Sequence, residues 1–258
     1  MAADSLDRTA DAWLLWTEPA RAAGLHQAWR GLLDVDDQAR AARLRPPHAR
    51  ERWVLAHGLL RQVLSRYAPV EPTAWRFDRD DHGRPWIASP DSPGLFFSLS
   101  ACPGLAAVLV SDQPRCGIDV ERVGRARAPL TTARGAFTPS EQAELAATAP
   151  TRRDLVFARH WTLKEAWAKA MGRGLDLPVE RVGFSVAQDG AVTMALPPDL
   201  GEASAWSLTL TQPGPDHVLA AAMGAGARRR LVLHSWSTGP GGAEQSSASS
   251  PGPEGDGA

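Results

Sequence analysis

Asp119, Glu121, Glu165 and Lys169 are the residues whose types and spacing could do chemistry together. In Cys116-Gly117-Ile118-Asp119-Val120-Glu121 the alternation sends Ile118 and Val120 to one face of a strand and both acids to the other. Carboxylates at i and i+2 have stems roughly 7 Å apart, so their side chains can close on one small cation. Like charges on one strand face are destabilising unless something positive compensates. A hard divalent ion, held by one or two carboxylates, water and substrate phosphate, is one such partner. On Asp-x-Glu alone, an exposed strand with two solvated acids is the favoured reading.

Glu165 and Lys169 belong to the stretch 159–178. There Leu163, Ala166, Trp167 and Ala170 form a helical apolar stripe, with Trp161, Glu165 and Lys169 on the other side. Gly172 and Gly174 end the pattern. Lys164 and Lys169 are the only lysines among 28 basic residues. A compact ammonium with a tunable pKa suits phosphate chemistry and proton transfer in a way that a guanidinium does not. A solvated Glu165–Lys169 pair on an arginine-biased surface is the other account. Trp161 on the charged face implies that something covers it.

Gly-Ile-Asp-Val-Glu, followed by Trp-Thr-Leu-Lys-Glu-Ala-Trp-Ala-Lys-Ala-Met-Gly-Arg-Gly, resembles the paired signature of the 4′-phosphopantetheinyl transferases. The closer likeness is to the broad-specificity, surfactin-synthetase-activating type, over residues 40–186. The resemblance implies an α+β fold of two similar α/β halves with the active site in the cleft between them. It implies transfer of phosphopantetheine from coenzyme A to a serine of an apo acyl or peptidyl carrier protein, releasing 3′,5′-ADP. Asp119, Glu121 and Glu165 align with Mg²⁺ ligands, and Glu165, or a water it holds, with the general base. Lys169 aligns with the diphosphate and leaving group. By the same resemblance Lys164 would contact phosphate or orient Glu165, and Trp161 would pack beside the pantetheine arm, support Glu165 or pack in the core. Coenzyme A contacts are expected from Arg40, Arg52, Arg84 and Ser100.

Two departures stand out. Gly83-Arg84-Pro85 replaces a Gly-Lys-Pro motif, keeping charge and changing geometry. Ala101 follows Ser100 where the family has a histidine associated with the 3′-phosphate of coenzyme A. That change keeps open a second reading, a non-catalytic coenzyme A or nucleotide binding relative. A third reading is a metal-dependent phosphodiesterase.

The elements that must position these groups follow from pattern. A strand is expected at 13–16, and helix starters at Asp36 and Asp37. A helix is expected over 49–67, with His57 in its apolar stripe as a satisfied core residue and Arg52 and Arg61 off it, as surface charges by default or as phosphate clamps. Strands at 75–78 and 85–88 flank a turn-rich link, and 95–100 and 105–110 lead toward Asp119. Thr138, Pro139 and Glu141 read as a helix start with a capping box. Strands follow at 182–187, 191–196, 205–211, 217–223 and 230–236. The halves are 1–112 and 113–236, and 237–258 reads as a disordered tail, being rich in Gly, Pro, Ser and Ala.

Hydrophobic residues at 43% and charged residues at 22% fit a soluble globular chain of 258 residues. A net charge of −1 argues against nucleic acid as a partner. No apolar run is long enough for a membrane span, and the first residues lack a signal-peptide core. Cys102 and Cys116 read as reduced thiols in a cytoplasmic protein. The resemblance implies a single-chain monomer whose partners are carrier protein domains of fatty acid, polyketide or nonribosomal peptide synthesis.

Overall fold

The structure is a computed structural model describing residues 9–92, 94–124, 126, 129–224, 229–237 and 245–248. The first half opens with β1 (Thr9–Trp16). It continues through α1 (Thr17–Ala22), α2 (Leu25–Ala28), α3 (Val35–Arg43) and α4 (Pro47–Leu64). A hairpin of β2 (Arg76–Arg79) and β3 (Pro85–Ser89) follows, then β4 (Phe96–Cys102) and β5 (Leu105–Ser111). The second half repeats this order. It runs β6 (Cys116–Arg122), α5 (Pro129–Ala133), α6 (Pro139–Ala147), α7 (Pro150–Met171), the hairpin of β7 (Gly183–Val186) and β8 (Val192–Ala195), then β9 (Trp206–Gly214) and β10 (His217–Gly224). The ladders match as well. β5 lies between β1 and β4, and β10 lies between β6 and β9, all antiparallel.

The hydrophobic patterns set four layers. One face of β1 and β5 (Trp13, Leu15, Ala106, Val108, Val110) buries against Leu55, Leu59 and Val63 of α4. The opposite face (Ala12, Leu14, Ala107, Leu109) packs on Ile118 and Val120 of β6 and Leu219 and Ala221 of β10. The far side of the second sheet, through Ala220 and Ala222, meets Leu163, Ala166, Trp167 and Ala170 of α7. These four α7 residues are the stripe read from sequence, and all are fully buried. At the seam between halves, serines of β4 cap edge groups of β6. Ile118 N–H donates to Ser98 Oγ at 3.0 Å and Val120 N–H to Ser100 Oγ at 3.3 Å. Buried strand-edge donors need such partners.

Three expectations are corrected. β11 (Arg230–Ser235), assigned from sequence to the second half, pairs parallel with β1 and extends the first sheet. Its His234 stacks on Trp13, with ring centroids 4.5 Å apart. Within the tail read as disordered, β12 (Gln245–Ala248) pairs with β11, and the rest of 238–258 lies outside the described residues. Finally, the cap of α3 is Asp34, whose Oδ1 accepts the Asp37 N–H at 2.8 Å. Asp37 itself is buried and paired with Arg61.

Candidate active site

β6 and α7 bring the acids together because their backbones nearly touch. A Cβ at Gly117 would lie 2.0 Å from Ala166 O and 2.6 Å from Ala170 N, so only glycine permits this approach. Asp119 and Glu121 share the Gly117 face and are turned toward α7. Their relative exposures are only 4% and 9%, which removes the solvated-strand reading. Asp119, Glu121 and Glu165 line one cavity of about 350 Å³ with Trp161, which stacks on Phe157 at 5.7 Å. Glu165 also lines a larger groove of about 910 Å³, shared with Ser100, Lys169, Arg40, Arg52 and Arg84.

Asp119 is the pivot. Its Oδ1 accepts from Ser100 Oγ at 2.8 Å and from Lys169 Nζ at 2.6 Å, while Oδ2 is buried without a hydrogen-bond partner. Lys169 also donates to Ile118 O at 3.2 Å. Among the described residues no group of three or more His, Cys, Asp or Glu side chains is arranged to hold a metal ion. The expected closure of three carboxylates on one point is therefore not formed. An ammonium sits on the Asp119 oxygen that a cation would share. The donor chemistry still fits Mg²⁺, which needs only one or two carboxylates and completes its shell with water and phosphate. A buried carboxylate oxygen with no hydrogen bond, beside Glu121 and Glu165, is such a donor.

Lys164 is corrected. It lines neither cavity. Its buried Nζ pairs with Glu141 Oε2 at 2.9 Å and donates to Val179 O at 2.9 Å and to Val182 O. Burial lowers its pKa, partly offset by Glu141. Glu141 closes the capping box with Thr138 and accepts the Phe184 N–H at 2.8 Å. Burial works to raise the Glu141 pKa. The His160 contact, Lys164 and the Phe184 N–H outweigh it and hold the carboxyl at about 2. Lys164 and Glu141 thus pin α6, α7 and β7 together.

In the first half, Arg61, read as a surface or phosphate-clamp residue, is fully buried. Its Nη2 lies 2.8 Å from both Asp34 and Asp37. Arg84 lines the groove, but its Nη2 donates to Pro114 O and, at 3.4 Å, to Cys116 O, tethering the β2–β3 hairpin to β6. Burial pushes the Cys116 thiol up to about 12, so it is inert. Sequence reasoning missed two groove residues, Arg79 and His57. Arg79 shares a strand face with Phe77, which packs partly buried against the core, and that alternation was the available signal. His57 stacks on Trp53 at 3.9 Å, and its Nδ1 lies 3.0 Å from Trp53 O. Burial above all, with Arg61 and Arg79, lowers its pKa to about 4 against the opposing pull of Asp37 and the Trp53 carbonyl.

The profile of the 4′-phosphopantetheinyl transferase superfamily matches residues 115–222. The chain is 33% identical over 192 residues to the 4′-phosphopantetheinyl transferase HetI of a Nostoc species, covering 74% of this chain and 78% of that one. It is 31% identical over 146 residues to the 4′-phosphopantetheinyl transferase Sfp of Bacillus subtilis, covering 57% and 63%. Among solved structures, the holo-[acyl-carrier-protein] synthase of Thermotoga maritima matches at 26% identity and a TM-score of 0.37, over 45% of this chain and 64% of that one.

Proposed function

The chain belongs to the 4′-phosphopantetheinyl transferase family, and we propose that it performs the family's reaction in the groove between its halves. It moves 4′-phosphopantetheine from coenzyme A to a serine of an apo carrier protein, leaving holo carrier and 3′,5′-ADP. The supporting observation is that Glu165 and Lys169 of α7 line the same groove as arginines from the first half, while Glu165 also lines a second cavity with Asp119 and Glu121 of β6.

The serine oxygen attacks the phosphorus that bears the pantetheine arm. The new O–P bond forms as the bond to the bridging diphosphate oxygen breaks. Glu165, which faces both cavities, takes the serine proton directly or through a water. Lys169, 2.6 Å from Asp119, steadies the charge developing on the departing 3′,5′-ADP. Ser100 fixes Asp119 through its 2.8 Å bond. Asp119, Glu121 and Glu165 would hold Mg²⁺, which when bound neutralises diphosphate charge. Arg40, Arg52 and Arg84 bind the nucleotide end. Trp161, beside the acids, gives the pantetheine arm an apolar wall. The enzyme works as a single chain, because both walls of its groove come from one polypeptide. Its carriers are those of polyketide, nonribosomal peptide or fatty acid synthesis. Among the described residues no helix is long and apolar enough to cross a membrane.

The test is the mass of an apo carrier protein incubated with coenzyme A, Mg²⁺ and this enzyme. We expect a gain of one phosphopantetheine, with Glu165→Gln slowing transfer by about 10²–10⁴-fold, the range for a general base. Coenzyme A binding without any gain would instead support the non-catalytic relative suggested by Ala101. Release of 3′,5′-ADP without carrier would support the phosphodiesterase.

A further inference from the structure

The smaller cavity, which holds the acids, is a trough between β6 and α7, and the two elements run past each other in opposite directions. A Cβ at Gly117 would lie 2.6 Å from Ala170 N, and one at Gly124 would lie 3.5 Å from Asp154 Oδ2. Moving up β6 is therefore moving down α7. Asp154, Ala158, Trp161 and Glu165 fall at i, i+4, i+7 and i+11, so one face of α7 forms a whole wall. Eleven residues of helix span roughly 16 Å. Phe157, Ala158 and Trp161 line the middle of that wall. Asp154 stands at the end away from Glu165, half-buried and without an ion pair to any described residue.

Pantetheine has the length to run from one end to the other. From its ester oxygen to its sulfur it has about thirteen chain atoms, the equivalent of some four extended residues, or roughly 15 Å. Glu165 lines both cavities, so a phosphorus held there sends the arm along Trp161 and brings the sulfur beside Asp154. An acyl group carried on that sulfur lies there too. A second anion next to a half-buried carboxylate is repelled, while a neutral group is not. Arg122 also lines the trough, but it starts from the strand face opposite Asp119 and Glu121 and is exposed. The described walls thus set four carboxylates against one guanidinium.

We propose that Asp154 determines donor specificity: it admits the free thiol and neutral thioesters of coenzyme A and rejects thioesters that end in a carboxylate. This rests on the transfer reaction proposed above, with the arm in the trough. The acyl group takes no part in the bond changes and travels to the carrier intact. The enzyme therefore delivers a bare or neutrally acylated arm. A carboxyacyl unit must reach the holo carrier afterwards, by a separate acyl-transfer step.

Internal competition tests it. The full chain, an apo carrier and Mg²⁺ are given equimolar malonyl- and isovaleryl-coenzyme A; isovaleryl has an isopropyl group where malonyl has its carboxylate. The masses of the carrier products give the ratio of the two kcat/KM values. The wild type should favour the isovaleryl donor by about tenfold, the scale of one like-charge contact, and the ratio should shrink as salt rises. Asp154→Asn should bring the ratio toward one, and Asp154→Lys should reverse it. A ratio that neither variant moves would take the thioester end away from Asp154. A variant that raises the KM for the carrier without moving the ratio would turn Asp154 toward the carrier instead. A wild-type ratio near one, with the carrier still modified, would overturn the selection and leave the transferase reading standing. If neither these donors nor coenzyme A modify the carrier, the transferase reading fails and this proposal with it.

Discussion

Asp11 and Asp119 are both buried aspartates on the leading strand of their half, and they end in opposite situations. Both oxygens of Asp11 are taken: Oδ2 accepts Tyr67 Oη at 2.5 Å and Oδ1 lies 3.0 Å from His234 Nε2. Asp119 has two donors on Oδ1 and none on Oδ2. The same contrast runs through the rest of each half. The first half answers Asp34 and Asp37 with Arg61 and leaves Arg40 and Arg79 facing the groove. The second answers Glu141 with Lys164 and leaves acids facing a cavity. One strand–helix–hairpin–strand–strand plan thus yields a basic wall and an acidic wall. The proposed diphosphate substrate, with a divalent ion, would use both. The difference lies in which charges each half turns toward these cavities.

The closeness of α7 to β6 is what turns the acidic wall inward, and it can be broken at one atom. Gly117→Ala places a methyl against helix backbone, which cannot rotate away. We expect a loss of roughly 4 kcal/mol or more, in the exceptional class for a single substitution. Gly58→Ala makes the matching change in α4, where the added methyl meets the Trp29 ring at 2.6 Å. A side chain can shift, and alanine gains about 1 kcal/mol of helix propensity over glycine, so the net loss should be about 0–2 kcal/mol. Urea denaturation of both variants checks this. Equal losses would mean that the two helices are seated alike and that the contrast is not one of packing.

Next in size is a pair of lysines five positions apart on one helix. Lys164→Met strands the buried Glu141 charge and should cost about 3–5 kcal/mol, while molecules that remain folded transfer normally. Lys169→Met removes a partly exposed pair from Asp119 and should change stability by about 1 kcal/mol or less. Its transfer rate should fall by about 10²–10³-fold, the scale for one lost charge-stabilising donor. Denaturation midpoints and carrier modification rates separate the two. A stable but inactive Lys164→Met protein would reverse the assignment.

That division marks where sequence stops being readable. The stripe Leu163–Ala166–Trp167–Ala170 was legible because burial on one helix face imposes a period. The alternation in β6 and the capping box at Thr138 and Glu141 were legible for similar local reasons. Which lysine meets which acid was not. Five residues turn a helix by about 140°, so Lys164 and Lys169 point to different neighbours, and those neighbours come from elsewhere in the chain. Arg61 looked like a surface cation because Asp34 and Asp37 reach it only when α3 folds across α4. Arg40 and Arg79 sit 39 positions apart, and no local pattern links them. β11 joins β1 from more than 200 positions away, so a boundary drawn from the order of elements along the chain assigned it to the wrong half. The serine at position 100 was marked for coenzyme A, but its first partner is Asp119.

The smallest effect separates the halves by pH. The folded His57 pKa of about 4 lies below the ordinary 6.5, so the native state favours the neutral ring. That contribution is fully present above pH 6.5 and is lost as pH falls from 6.5 through 4. The shift sets a ceiling of about 3 kcal/mol. Partial exposure of the residue to the groove reduces it to about 1–2 kcal/mol. Glu141 acts lower: with a folded pKa of about 2 against 4.5, its contribution is intact above pH 4.5 and fades as pH falls toward 2. Acid weakening between pH 6.5 and 4.5 therefore belongs to the first half, and weakening below that range to the second. In His57→Gln the urea midpoint should stay flat from pH 7 to 5, where the wild type declines. A variant that declines in parallel with the wild type would place the titrating group elsewhere and leave the first half without its acid-sensitive member.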